Sequence, residues 1–178
     1  MVEMKRIEIP IQDFVAKSHV IFDQQWFLLC CGDYKSHDFN CMTISWGSLG
    51  TIWNLPFALV AVRHSRHTFQ YMEKYNTFTL NAFPEENRKP LNVLGKRSGR
   101  DMDKINSSGY HPMSTRLVQS PTFQEAELVI ECGKLYWDDL NPAHFLDERI
   151  WKNYANHDFH RFYFGEVLAI SGINKFSR

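Results

Sequence analysis

The chain has 178 residues, a length that suits one domain able to bury about 70% of its unfolded surface. Twenty Lys and Arg balance twenty Asp and Glu, which excludes the broad positive field expected of a nucleic-acid or anionic-membrane binder. No run approaches the ~20 apolar residues that span a bilayer, and residues 1–14 lack the apolar stretch of a signal peptide.

Taken in chain order, residues 26–31 form a short, wholly apolar run ended by Gly32-Asp33, the pattern of a strand covered on both faces. Residues 39–46 follow as a second strand, with Met42, Ile44 and Trp46 in one phase and Cys41, Thr43 and Ser45 in the other, so that one face is apolar and the other can reach a ligand. The Gly- and Ser-bearing stretch 47–54 reads as a loop, and the apolar run 57–62 after Pro56 reads as a strand ending in Arg63. Ser65 is placed as an N-cap, and Phe69, Met72 and Tyr75 at three-residue spacing predict a helix over 66–74. Strand alternation returns at 77–83. A helix is expected within 85–94, with Pro90 breaking it or opening a second one. Residues 95–108 are polar and charged. Further strands are expected at 115–119, 125–136 and 160–171, with a short helix over 147–154. About six or seven strands with few helices point to an antiparallel barrel, the closure that removes exposed edges.

The most informative stretch is the junction of strand and helix at residues 62–68. A helix start offers unpaired N–H groups and partial positive charge, so it attracts anions. Arg63 and Arg66 add guanidinium forks there, and Ser65 and Thr68 add hydroxyls. The same residues also read as an ordinary capped helix with surface arginines. A second polar patch, residues 95–104, has glycines that admit close backbone approach, followed by basic side chains; it lacks the GxxxxGK[ST] spacing of a triphosphate loop. His64 with His67, and His157 with His160, lack the Cys or carboxylate partners of a zinc site. Cys30, Cys31, Cys41 and Cys132 show neither CxxC pairing nor disulfide density, which points to a reduced, cytoplasmic setting, and Cys41 reads as a buried, inert thiol. His160 is the one histidine to weigh as a haem ligand, and on a strand before Gly165 it reads more simply as structural.

In order and separation, residues 40–47, Pro56, the 62–68 junction, residues 78–81, Gly95, residues 98–101, Lys104, His160 and the run Phe164-Gly165-Glu166 resemble the flavin reductase-like family, specifically its flavoredoxin branch. The likeness extends over residues 26–170. It implies a mainly β fold: a flavin mononucleotide (FMN)-binding split β-barrel, antiparallel and of Greek-key type, with a few short helices. A single domain over 1–178 is expected, with its barrel core at about 20–172. The resemblance further implies a homodimer that binds FMN noncovalently near the subunit interface. Carried over, Thr43, Ser45 and Trp46 would line the isoalloxazine ring, and Arg63, Ser65, Arg66 and Thr68 would surround the phosphate and ribityl chain. Asn81, Phe83, Ser98, Gly99 and Lys104 would complete the pocket. Trp46 reads equally as core filler.

Because a flavin carries redox chemistry itself, no acid–base pair is demanded of the side chains. Two readings follow: an NAD(P)H-dependent reductase, or an electron carrier that exchanges electrons with a redox protein. No separate GxGxxG fold is present, which favours the carrier without excluding direct stacking of nicotinamide on flavin. One departure from the family pattern is Leu55, where many relatives carry a second proline before the third apolar strand. The neighbouring Trp53 could cover the flavin's open face or a second subunit.

Overall fold

The computed structural model describes residues 4–85, 88–96 and 104–178. The first half supplies β1 (Ile7–Ile9), β2 (Phe27–Asp33), β3 (Asp38–Ile44), β4 (Gly47–Ile52), β5 (Leu55–Arg63) and β6 (Thr77–Ala82). The second half supplies β7 (Pro112–Met113), β8 (Thr122–Phe123), β9 (Leu128–Asp139) and β10 (His160–Gly172). Helices are few: a single turn α1 (Ser18–Val20), α2 (His67–Lys74), α3 (Arg88–Lys96) and α4 (Lys104–Ser108), besides shorter helical turns. Among the described residues no helix is long and apolar enough to cross a membrane.

Eight strands form one sheet in the order β3-β2-β6-β9-β10-β5-β4, with β1 on β10, and all of their pairings are antiparallel. β10 carries β5 along 160–166 and β1 along 170–172, so β1 takes over where β5 leaves off. The sheet curls into a split barrel whose ends are β3 and β4. β4 reaches only as far as Val60, so among the described residues the Ala61–Arg63 end of β5 has no strand partner on that side, and β3 pairs only with β2.

β2 shows why its sequence is apolar on both faces. Phe27, Leu29 and Cys31 point into the barrel with Val60, Val62, Phe78 and Leu80. Leu28 and Cys30 point outward into a second core, where Leu91 and Leu94 of α3 meet Phe83, Tyr110 and Phe123. Pro90 lies in the first turn of α3, where its missing N–H costs nothing, the second of the two alternatives expected for it. At Gly165 a side chain would overlap the Phe78 ring at 2.6 Å, which accounts for a glycine in the middle of β10.

Three expectations are corrected. Residues 47–54 are not a loop but the first arm of a hairpin, turned by Trp53 and Asn54 at φ 52° and 60°. That pair of positive φ values fits a two-residue hairpin turn, hidden in the sequence because glycine is absent and a tryptophan holds the first position. Residues 115–119 are not a strand: the backbone N–H groups of Arg116, Leu117 and Val118 wrap the Glu131 carboxylate at 3.1, 2.7 and 3.2 Å. This buried acid is thereby satisfied by local N–H donors. Finally, the helix over 147–154 is a 3₁₀ segment, Glu148–Asn153, capped by the Asp147 side chain.

Candidate functional site

A cleft of about 260 Å³ opens at the split in the barrel, walled by residues 42–46 with Ala61, Arg63 and His160. Its position follows from the topology, because the unpaired end of β5 and the end of β3 face each other there. Met42 and Ile44 turn into the core, while Trp46 stands 43% exposed at the rim. Its indole lies 4.9 Å from the His160 ring and edge-on to Tyr154. Thr43 faces away from the barrel interior and donates its hydroxyl to the Leu91 carbonyl of α3 at 2.6 Å. Gly95 packs so closely on Thr43 that a Cβ would lie 3.1 Å away.

Of the junction that leads into α2, Arg63 lines this cleft, whereas Ser65 and Arg66 are not among its walls. Arg66, with extended backbone, occupies the N-cap position and its side chain does not cap. Ser65 is therefore not the helix cap that the sequence suggested; its N–H and Oγ both turn to the Asp158 carboxylate, at 3.3 and 2.5 Å. Arg63 donates to the carbonyls of Asp158 and Asn153 at 2.7 and 2.8 Å, and its guanidinium lies 5.1 Å from the centre of the Tyr154 ring. Arg66 donates to the Gly95 carbonyl at 2.5 Å. Burial, and then the neighbouring charge of Arg63, oppose protonation of Arg66, while the Asp158 carboxylate favours it, so an incoming anion would act in the same direction as Asp158.

The remaining expected site residues lie elsewhere. Thr68 is buried and accepts a 2.9 Å hydrogen bond from Asn40. Asn81 is fully buried: its Nδ2 donates to Leu28 O and Thr79 Oγ1, and its Oδ1 accepts from Thr122. Phe83 stacks on Tyr110 at 4.4 Å inside the second core. None of these three lines the cleft. Ser98 and Gly99 lie outside the described residues, and Lys104 opens α4. Cys30, Cys31, Cys41 and Cys132 are buried thiols outside any disulfide, and burial pushes the Cys31 thiol up to about 12. Among the described residues no group of three or more His, Cys, Asp or Glu side chains could hold a metal.

His160 and Asp158 belong to the site, although the sequence reading left them out. For His160 the available signal was its position five residues ahead of Gly165, at the mouth of β10; for Asp158 nothing local paired it with Ser65. The His160 Nδ1 lies 2.8 Å from the Tyr154 hydroxyl, and burial, followed by the charge of Arg63, lowers its pKa from 6.5 to about 4. A histidine held neutral in the fold binds fewer protons than in the unfolded chain between about pH 4 and 6.5. Its contribution to stability is thus present above pH 6.5 and lost as the pH falls through that window. Urea unfolding should show wild type losing about 1–3 kcal/mol more than His160→Gln between pH 7 and pH 4. Parallel curves for the two proteins would refute this.

The profile described as "Flavin reductase like domain" matches residues 22–175. The chain belongs to the flavin reductase-like family. Solved structures agree on the fold. An FMN-binding domain of a flavin reductase-like enzyme from Shewanella baltica is 14% identical with a TM-score of 0.67, over 97% of this chain and 79% of that one. Flavoredoxin from Methanosarcina acetivorans is 21% identical with a TM-score of 0.65, over 98% and 79%. The NADH:FAD oxidoreductase SgcE6 of Streptomyces globisporus is 14% identical with a TM-score of 0.65, over 86% and 81%. No curated protein sequence matches. The split barrel with few short helices is thus the family's fold in this flavin reductase-like domain, and the cleft lies within the matched residues.

Proposed function

We propose that the cleft binds FMN noncovalently and that the protein is an oxidoreductase passing electrons from NAD(P)H through the flavin to an acceptor. The observation that carries this reading is one juxtaposition: Arg63 lines a cleft walled by Thr43, Ser45 and Trp46, and the next residues along the junction, Ser65 and Arg66, supply further anion donors. Cationic forks and a hydroxyl suit a phosphate monoester, and an indole beside small hydroxyl side chains suits a flat ring with one polar edge. FMN would supply hydride acceptance and electron release. The protein's part is to hold the phosphate with Arg63, Ser65 and Arg66 and to seat the ring against Trp46. His160, neutral above about pH 4, can offer a hydrogen bond there without placing a positive charge in the cleft.

The cleft is small for a whole flavin and open at Trp46, which supports a homodimer in which a second copy completes the wall. Trp53 and Tyr136, both exposed, form with the half-buried Phe164 a further aromatic row, with ring centres 5.7–6.3 Å apart, that suits such a contact. The four buried thiols are compatible with the reducing conditions of the cytoplasm. The second reading, a carrier that takes electrons from a redox protein, is favoured by the flavoredoxins among the similar structures, from Methanosarcina acetivorans and Desulfovibrio vulgaris.

Stopped-flow absorbance near 450 nm on the FMN-loaded protein decides between the two. Rapid bleaching by NADH or NADPH is the expected result. Bleaching by a protein donor alone would establish the carrier instead, and a protein that takes up no FMN would defeat both.

A further inference from the structure

The anion donors at the start of α2 already hold an anion from the protein itself. The Asp158 carboxylate accepts from the Ser65 hydroxyl at 2.5 Å and from the Ser65 N–H at 3.3 Å, and one oxygen lies 4.0 Å from the Arg63 guanidinium. Those are the groups that the proposed function assigns to the flavin phosphate, and the inference rests on that reading. We infer that Asp158 competes with the phosphate for Ser65 and Arg63, making it a specificity-determining residue that weakens the hold on FMN relative to the uncharged tail of riboflavin.

The physical case is one of charge and mobility. A phosphate monoester brings close to two negative charges to the same donors. If Asp158 stays, like charges sit within one small polar site; if it leaves, its hydrogen bonds to Ser65 must be given up. Either way binding of the dianion is opposed, while a ribityl hydroxyl can approach without that opposition. The segment that carries Asp158 is anchored by the backbone carbonyls of Asn153 and Asp158 on Arg63, and not by the carboxylate alone. The carboxylate can therefore swing out with the anchor intact.

The test compares FMN and riboflavin binding, by quenching of flavin fluorescence, in wild type, Asp158→Asn and Asp158→Ala. Asparagine keeps the shape and an acceptor for Ser65 but removes the charge. Asp158→Asn should bind FMN about tenfold more tightly than wild type, an effect between the surface and interior limits for a charge pair, while riboflavin affinity stays unchanged. Asp158→Ala should show the same direction, and urea unfolding confirms that both variants are folded. Unchanged or weaker FMN binding in both variants would overturn the inference, as would equal tightening of both flavins. A wild-type protein that binds neither flavin would instead defeat the proposed function itself.

Discussion

Arg66→Ala should weaken FMN binding about 10–150-fold, with riboflavin affinity essentially unchanged. A hydrogen bond to a charged partner contributes about 1.5–3 kcal/mol, and 1.4 kcal/mol is a factor of ten. The guanidinium is half-buried, disfavoured by its surroundings and by Arg63, and held to the protein by a bond to the Gly95 carbonyl. A bound phosphate would be its natural counter-charge. Because riboflavin lacks the phosphate, it separates loss of an anion contact from a general loosening of α3. The comparison is made by titrating each flavin into the folded variant. Equal losses for both would mean that Arg66 supports the cleft through Gly95, and no loss for either would remove it from the site.

How far the sequence led depended on the range of the interaction. β2 and β5 were legible because apolar runs bounded by turn residues leave a buried strand few alternatives. β4 was not, since its hairpin turn carries neither Asn-Gly nor Asp-Gly, and Leu55 next to Pro56 looked like the edge of a loop. The loop at 115–119 has strand-like composition and is held instead by an acid thirteen to fifteen residues away in sequence, a contact no local pattern encodes. The same division runs through the site. Arg63, Ser65 and Arg66 sit together on one junction and could be read as a group; Asp158 reaches Ser65 across 93 positions and could not. Thr68 was one residue too far: the helix begins at His67, so the Thr68 side chain turns back to Asn40 in place of the cleft.

Asn81 shows how a residue can fit a family's pattern and still serve the fold. Asn81→Ala should lower stability to urea by about 3 kcal/mol and leave the FMN affinity of the folded protein nearly intact. The side chain is fully buried on β6, and its amide ties together three elements. It donates to the Leu28 carbonyl of β2 at 3.1 Å and to Thr79 at 2.9 Å, and it accepts from Thr122 of β8 at 2.6 Å. Truncation leaves the Thr122 hydroxyl and the Leu28 carbonyl each short of a partner where water cannot easily replace it, and opens a small cavity as well. Each such buried group costs about 1–3 kcal/mol when orphaned, so the sum is large against the 5–15 kcal/mol that holds a typical domain. A variant of near wild-type stability with much weakened FMN binding would reverse this assignment, placing Asn81 against the cofactor as the resemblance implied. Loss of stability alone would assign it to the joint between the barrel and the β7–β8 ribbon that covers β6.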